Sequence, residues 1–348
     1  MSNGKLSFPI DGIDVSHLEQ THQLVKFTPQ PDPAAAFSLV LPKTWLMEND
    51  LGEQPVGIAQ MTRIGLFLEK KSGPETAIVQ VYVTRFPFEV ALRDWMQHLA
   101  QLFQTKLLSC EQYEFALGTV VDAGGLYGPP PNQHVVRITV HADGGRIFTV
   151  SAMVRQDRYP AVQSDIAIAA TSFKLLHPAA PSQLEALLQY SGGEPHFKVG
   201  FPASWVSREV PKPLPGKSGI DLSLSNKDTM LAYLRVKAMM VGDSQPPSAE
   251  SLRQTASEEL QESGISPASQ WQPDADPSIN SVQGLDQLSL ASAKFMGKPA
   301  ELRFATLHRG GLLFAVTLLS LPKSVDAILW MRSKRAYEIA LATAQPVA

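Results

Sequence analysis

The chain has 348 residues, of which 44% are hydrophobic and 18% are charged. This length suits about two domains, and the apolar content is sufficient for two cores. A formal net charge of −3 argues against a nucleic-acid-binding protein, which needs clustered lysine and arginine to replace phosphate counterions. The single cysteine, Cys110, excludes an intrachain disulfide and a CxxC site.

The N-terminal residues 1–10 lack the apolar run and the small-residue cleavage site of a signal peptide. No segment approaches ~18 consecutive apolar residues, the length that a membrane-spanning helix needs. We therefore expect a cytoplasmic protein without an integral membrane segment. Residues 1–36 show little periodicity, and we interpret them as an N-terminal lead-in that packs on the first domain.

Two pairs of segments recur along the chain. Phe37-Ser-Leu-Val-Leu-Pro-Lys-Thr-Trp45 returns as Phe197-Lys-Val-Gly-Phe-Pro-Ala-Ser-Trp205, with Phe, Pro and Trp displaced by 160 residues. The segment that begins Gly144-Gly and contains Phe148 is echoed by one that begins Gly310-Gly and contains Phe314, displaced by 166 residues. Two landmarks in the same order at nearly the same offset predict a tandem duplication of a domain-sized unit.

The repeat predicts the domain boundaries. We place the first repeat at 37–177 and the second at 197–348. Residues 178–196 between them form a linker with a short helix, which we predict over 183–190. Prolines near the start of this segment predict a limited range of domain orientations.

In the first repeat, apolar alternation predicts strands at 37–41 and 77–83. The clearest helix of the chain is predicted over 88–103. Its apolar side chains form one stripe at helical spacing: Phe88, Leu92, Trp95, Met96, Leu99, Leu102 and Phe103.

Residues 109–133 are rich in glycine and proline. They precede a hairpin at 135–141 and 146–154, which an Asp-Gly turn joins. A helix at 159–170 and a strand at 172–176 close the repeat. This order predicts an α+β fold in which helices pack on an antiparallel sheet.

The second repeat follows the same order with a more polar helix. Its predicted elements are a hairpin (220–224 and 230–240), a helix (248–263), a long loop (264–284), strands (288–294, 300–306 and 312–319), a helix (324–335) and a final strand (337–342).

Residue patterns that would indicate an enzyme are weak. His134 and His141 are seven apart on one predicted strand, so they point to opposite faces and do not form a joint metal site. Asp274 and Asp276 resemble part of a calcium loop, but two flanking prolines break its frame. Cys110 reads as a small buried hydrophobe. We therefore expect no enzyme activity, no cofactor and no metal.

Apolar residues outside the predicted cores are candidates for partner binding. Met239 and Met240 lie at a strand end, Tyr127 lies in a proline-braced loop, and Trp271 lies in the long loop. Methionine suits surfaces that accept varied apolar partners, and long loops in compact domains are often functional. The alternative is that each residue covers the sheet of its own domain.

Several of these parts together resemble the PsbP/DcrB-like superfamily. They are the strand ending at Pro42 to Trp45, the helix from Phe88 to Phe103, the hairpin from Gly144 to Val150, and the helix and strand from Tyr159 to Leu175, with a second set from Pro202 onward. The resemblance implies a PsbP-like αβα sandwich in each repeat.

That superfamily includes a photosystem extrinsic subunit, a Ran-binding factor and chaperones that accompany type VI secretion effectors. The chaperones are the nearest in kind. The resemblance implies a non-enzymatic protein, and two fused repeats imply a pseudo-dimer with one shared groove. No binding residue of the family transfers to this chain, because the shared positions are core positions.

Three functions remain open from the sequence. The first is a chaperone-like or adaptor protein that holds an apolar segment of a protein partner, such as a secretion effector. The second is a scaffold or accessory subunit of a multiprotein machine, with mostly polar contacts. The third is a hydrolase whose site is assembled from distant residues.

Overall fold

The computed structural model divides the chain into two compact units, Met1–Leu184 (unit 1) and Glu185–Ala348 (unit 2). The division falls inside the predicted linker, whose residues 179–181 lie outside the described residues. The structure describes residues 15–30, 32–48, 54–56, 61–70, 76–115, 118–178, 182–210, 216–227, 229–241 and 247–347.

Unit 1 has helices α1 (Val15–Thr21), α2 (Leu92–Leu102) and α3 (Tyr159–Thr171). Its strands are β1 (His22–Phe27), β2 (Phe37–Pro42), β3 (Trp45–Met47), β4 (Gln54–Val56), β5 (Met61–Glu69), β6 (Ile78–Arg85), β7 (Lys106–Phe115), β8 (Gly118–Tyr127), β9 (His134–Asp143), β10 (Arg146–Arg155) and β11 (Lys174–Leu175).

The strands of unit 1 form two antiparallel sheets. A small sheet has the order β1-β2-β11, and a large sheet has the order β3-β5-β6-β10-β9-β8-β7, with β4 paired to β5. The small sheet and α3 pack on one face of the large sheet, where alternate residues such as Val81 and Val150 are buried. Helix α2 contacts β7, β8 and β9. The expected lead-in is thus partly built into the fold, since β1 pairs along β2.

Unit 2 has helices α4 (Ala249–Glu262), α5 (Pro277–Asn280) and α6 (Ala327–Thr343). No helix in the described part of either unit has the length and hydrophobicity of a membrane crossing. The strands of unit 2 are β12 (Leu187–Gly192), β13 (Phe197–Pro202), β14 (Val206–Glu209), β15 (Lys217–Asn226), β16 (Thr229–Met240), β17 (Ile265–Pro267), β18 (Gln272–Pro273), β19 (Leu285–Phe295), β20 (Lys298–Arg309), β21 (Leu312–Ser320) and β22 (Gln345–Pro346).

Unit 2 also pairs its strands in a small and a large antiparallel sheet. The orders are β12-β13-β22 and β14-β15-β16-β21-β20-β19-β17, with β18 paired to β19. These orders match those of unit 1 strand for strand, apart from β4 and β18. On one face, α6 and the small sheet pack on residues such as Val236 and Phe314. Their sequence neighbours point to the other face, where Ala315 packs with residues of α4.

The two recurring segments of the sequence take the same structure in both units. Phe37–Pro42 and Phe197–Pro202 are the central strands β2 and β13 of the small sheets. The Gly-Gly pairs form the tight turns between β9 and β10 and between β20 and β21. Gly144 and Gly145 have φ of 55° and 93°, and the second pair has φ of 51° and 78°. Two consecutive positive φ angles explain why both positions are glycine.

Two predicted elements are wrong. The short helix predicted at 183–190 is absent, because residues 187–192 form β12 and pair with β13, where Tyr190 packs on Phe197 at 5.3 Å. The strand predicted at 337–342 belongs to α6. Tyr337, Ala340 and Leu341 are buried at the i, i+3, i+4 spacing of a helix face.

Two stretches that the sequence did not assign to helices or strands are in fact partly regular. The loop predicted at 264–284 contains β17, β18 and α5. The glycine-rich stretch within 109–133 forms most of β7 and β8. Position 125, within β8, is a glycine because a Cβ there would stand 2.7 Å from the Lys106 carbonyl oxygen. Close approach of two backbones, and not a turn, requires this glycine.

Candidate functional site

The structure separates the four residues that the sequence singled out. Tyr127 lies at the end of β8 in unit 1, 42% exposed, with its ring 6.3 Å from that of His134. Met239 and Met240 lie on opposite faces of β16, so Met239 is buried and Met240 is 65% exposed. Trp271 is half-buried. Of the four, Met239 and Trp271 belong to one apolar cluster, on the α4 side of the unit 2 sheet.

Helix α4 covers this face with few buried side chains. The Ser248 hydroxyl caps the helix by accepting from the backbone N–H of Ser251 at 3.1 Å. Leu252, Ala256 and Leu260 recur every four residues and point toward the sheet, but only Leu260 is buried. In unit 1 the corresponding helix α2 buries five apolar side chains: Leu92, Trp95, Met96, Leu99 and Ala100. Helix α4 is therefore packed less tightly on its sheet than α2 is.

A cavity of about 390 Å³ lies between α4 and strands β15, β16 and β21. We call it the α4 cavity. This volume lies within the range of pockets that bind small ligands or partner side chains. Its apolar lining is Val210, Met239, Leu252, Ala256, Leu260 and Ala315, and its polar lining is Lys217, Ser218, Gly219, Tyr233, Arg235, Lys237, Thr255, Glu259 and Thr317.

The polar end of the α4 cavity is a ladder of ion pairs. Arg235 donates from Nε and Nη2 to the two carboxylate oxygens of Asp221, at 2.6 and 2.8 Å. Its Nη1 donates to Glu259 of α4 at 3.0 Å, and Lys237 also donates to Glu259. Glu259 thus links α4 to β16, and Arg253 of the same helix donates to the Ser289 hydroxyl of β19 at 3.3 Å.

The same ladder sets the protonation of Tyr233. Its hydroxyl donates to Asp221 at 2.7 Å, and the guanidinium of Arg235 lies 5.5 Å from its ring centre. Burial, then the negative charge of Asp221, raises the pKa of Tyr233. Hydrogen bonding to Asp221 raises the pKa of Arg235. Tyr233 thus stays a neutral donor and Arg235 stays a cation at any physiological pH.

Trp271 holds the other side of α4. Its indole N–H donates to the Ser257 hydroxyl at 3.2 Å, and its ring packs edge-on against Phe304 at 6.2 Å. Phe304 is fully buried and belongs to the same cluster as Met239. Met239 and Trp271 therefore both pack beneath α4, in the cluster that includes Leu252 and Ala256. Trp271 thus packs on its own domain.

The pair Asp274 and Asp276 also has a structural role. Arg303 donates to Asp274 at 2.7 Å, and Lys334 of α6 lies 2.8 Å from Asp276. Burial raises the pKa of Asp274. Burial alone would also raise the pKa of Asp276, but Lys334 and hydrogen bonds from Ser278 outweigh it and lower this pKa. The two carboxylates fasten the segment after β18 to the sheet and to α6.

Sequence reasoning missed the charged residues of the α4 cavity. A signal was present, because Tyr233, Arg235, Lys237 and Met239 alternate with buried apolar residues along one strand. A strand buried on both faces does not ordinarily carry such charges unless they are paired. What the sequence did not give is the partner, Glu259, which reaches the strand from a helix about two dozen residues away.

No family model matches the chain, and no curated protein sequence matches it. Among solved structures, it is similar to the cyanobacterial PsbP protein of Synechocystis sp. PCC 6803, at 15% identity over 44% of this chain and 92% of that one, with a TM-score of 0.33. It is also similar to LpqN of Mycobacterium tuberculosis, involved in cell envelope biogenesis, at 11% identity, 47% and 96% coverage and a TM-score of 0.32.

A third similar structure is the type VI secretion immunity protein TplEi of Pseudomonas aeruginosa, complexed with a peptide. It is 12% identical, covers 94% of this chain and 98% of its own, and has a TM-score of 0.24. With TM-scores below 0.5, these similarities carry no argument about function. Both units of the chain are mixed α and β structures built mostly of antiparallel sheet.

Proposed function

We propose that this chain is a non-enzymatic, chaperone-like or adaptor protein that holds an apolar segment of a protein partner at the α4 cavity. The observation that carries the proposal is a cavity of about 390 Å³ with an apolar end, beneath a helix whose one buried apolar side chain is Leu260. A partner's leucine or methionine side chain buried there would contribute roughly 1.5–3 kcal/mol. Met239, Leu252 and Ala315 would supply its contacts.

The proposal extends to the origin of the two units. They descend from a tandem duplication of a PsbP-like domain, a relation supported by the matching strand orders, apart from β4 and β18, and by the shared Phe, Pro and Trp positions. Divergence then acted on the helix of each unit. Helix α2 became firmly packed, whereas α4 became polar and left space for a partner.

The experiment compares three full-length proteins as baits in native lysate. Ala256→Phe places an aromatic ring in the α4 cavity, and Gln261→Phe adds the same ring on the exposed side of the same helix as a matched control. We expect the wild type and Gln261→Phe to retain a common protein that Ala256→Phe loses. If all three baits retain the same proteins, the α4 cavity is not the binding site.

A specific observation also favours the second candidate, a scaffold subunit. Strand β7 is an edge strand of ten residues without proline, so its outer backbone N–H and C=O groups can form polar contacts with a partner strand. The corresponding edge of unit 2 is two short strands that contain Pro267 and Pro273. Proline blunts an edge against strand pairing, so of these two edges β7 is the one that suits the addition of a partner strand, along residues 109–115 beyond its bulge at Leu108.

A further inference from the structure

The lining of the α4 cavity has more positive than negative charge. Lys217, Arg235 and Lys237 carry positive charge, and Glu259 is the one acidic residue that lines it. Asp221, behind the lining, neutralises Arg235 through a two-point hydrogen bond. Glu259 therefore supplies the remaining negative charge, and it reaches the basic residues from α4 and not from the sheet.

Glu259 is held by charge and is accessible to water. Its side chain is 30% exposed, and those of Arg235 and Lys237 are 22% and 26% exposed. Ion pairs with this degree of exposure are individually weak, because water and salt screen them. Exchanging the Glu259 carboxylate for another carboxylate at the same two cations would therefore need little free energy. A second anion can compete for this place.

The apolar and the basic parts of the lining lie on one strand. Met239 is two residues beyond Lys237 on β16, and both side chains point to the same face. A ligand that fills the apolar end thus brings its neighbouring groups close to Lys237 and Arg235. A carboxylate next to an apolar side chain fits this arrangement, and an ammonium or guanidinium does not.

From this arrangement we infer that the partner segment is acidic: its apolar side chains are flanked by aspartate or glutamate, and a partner carboxylate displaces Glu259 from Arg235 and Lys237. This inference rests on the proposed function. Glu259 is then an internal competitor, which occupies Arg235 and Lys237 in the free protein and gives them up to the partner carboxylate. Sequence selectivity would come from the charge of the flanks, and affinity from the apolar side chains.

The test uses the full-length protein and three fluorescein-labelled peptides with the same Leu-Met-Leu core. The core is flanked on both sides by Asp-Glu, by Ser-Gly or by Lys-Arg, and binding is measured by fluorescence anisotropy. We expect the acidic-flanked peptide to bind about fivefold more tightly than the neutral one, because one of its carboxylates replaces Glu259 and a second pairs with Lys217, a net gain of one partly screened ion pair. The basic-flanked peptide should bind most weakly, and added salt should remove the differences.

Variants of α4 and β16 then test whether Glu259 competes with the peptide carboxylate for Arg235 and Lys237. Glu259→Gln should tighten the acidic-flanked peptide about fivefold and change the neutral one by less than twofold. Glu258→Gln, on the exposed side of the same helix, is the matched control and should change neither. Lys237→Met should remove the preference for acidic flanks.

The outcomes distinguish a failure of the inference about acidic flanks from a failure of the proposed function. If the three peptides bind equally well and Ala256→Phe weakens all of them, the proposed function stands and the inference about acidic flanks is wrong. If Glu259→Gln weakens the acidic-flanked peptide, Glu259 is not a competitor and the inference is also wrong. If none of the peptides binds, or binding is unaffected by Ala256→Phe, the proposed function itself fails.

Discussion

Arg137 and Arg303 occupy corresponding places in the two large sheets. Arg137 lies on β9 opposite Ala152 of β10, and Arg303 lies on β20 opposite Leu318 of β21. Both arginines are buried, at 0% and 5% exposure. A buried cation at the same register position in both units supports the proposed duplication.

The two arginines differ in their partners. Arg137 forms a two-point ion pair with Asp122, at 3.1 and 2.6 Å. Arg303 donates to three carboxylates: Asp274, Asp276 and, at 3.0 Å, Glu301. Removing one partner from a buried ion pair is costly because the other charge stays buried. The network of Arg303 therefore leaves more buried charge behind when the arginine is lost.

We expect Arg303→Met to lower the free energy of unfolding of unit 2 by about 4 kcal/mol. The loss should be smaller at pH 5 than at pH 7, because carboxylates without their cation take up protons more readily. Urea denaturation followed by tryptophan fluorescence measures both values, and Trp330 lies 5.4 Å from the Arg303 guanidinium as a reporter. Arg303→Lys, which keeps the charge, serves as the control. An equal loss at both pH values would contradict this account of the network.

Because α2 is packed more tightly than α4, alanine substitutions in the two helices should lower the free energy of unfolding by different amounts. Trp95 of α2 is fully buried and packs edge-on against Phe86 at 5.3 Å, so Trp95→Ala should cost about 3–5 kcal/mol. Leu252 of α4 is half-buried beside a cavity, and Leu252→Ala should cost less than about 1.5 kcal/mol. Denaturant unfolding of the two variants measures this difference. Similar losses would mean that α4 is packed as firmly as α2.

His141 predicts a pH dependence of the stability of unit 1. Burial lowers its pKa from 6.5 to about 4, and its ring packs on Phe173 at 4.8 Å. Between these two pH values the unfolded chain binds a proton that the folded chain does not bind. Stability should therefore fall as the pH drops from 6.5 to 4, by an amount on the order of 3 kcal/mol.

The matched variant for this prediction comes from unit 2, where Leu307 occupies the register position that His141 has in unit 1. His141→Leu should remove most of the loss between pH 6.5 and 4, measured by urea denaturation at a series of pH values. His177→Gln, at an exposed position, should leave the loss unchanged. The prediction fails if His141→Leu keeps the full pH slope of the wild type.

The edge strand β7 makes the scaffold candidate testable. Leu108→Lys places a charge on the open edge, which disfavours pairing with another strand. If the scaffold candidate is right, a protein captured from lysate should survive Ala256→Phe and be lost in Leu108→Lys. Leu24→Lys, at a 59% exposed position on β1, is the control for surface charge. Capture that Leu108→Lys leaves intact would remove strand addition from consideration.

Local signals predicted much of this fold. The Gly-Gly hairpins and the stripe of α2 depend on residues close in sequence, and the structure has the hairpins and the part of the stripe within Leu92–Leu102, with Phe88 before the helix and Phe103 at its C-cap. The errors come from tertiary contacts. Residues 187–192 become a strand only because β13 lies beside them, and Gly125 looks like a turn residue until the neighbouring backbone is in place. The last part of α6 is a short apolar run, which periodicity does not assign to helix or strand.

The candidate site was less predictable for the same reason. Met239 and Trp271 were singled out as apolar residues outside the predicted cores, and in the structure both pack against the inner side of α4. The cavity beside them depends on the volume that α4 leaves unfilled. Its charge depends on Glu259 meeting Arg235 across two elements. Neither property is encoded in a short stretch of sequence.

The central claim is that a partner segment enters the α4 cavity. Hydrogen–deuterium exchange of the full-length protein, with and without the acidic-flanked peptide, tests it most directly. In the free protein the amides of α4 should exchange faster than those of α2, since few buried side chains hold α4 in place. Peptide binding should slow exchange in β16, β21 and α4 and leave β7 unchanged. Protection of β7, with no change in α4, β16 and β21, would contradict the claim.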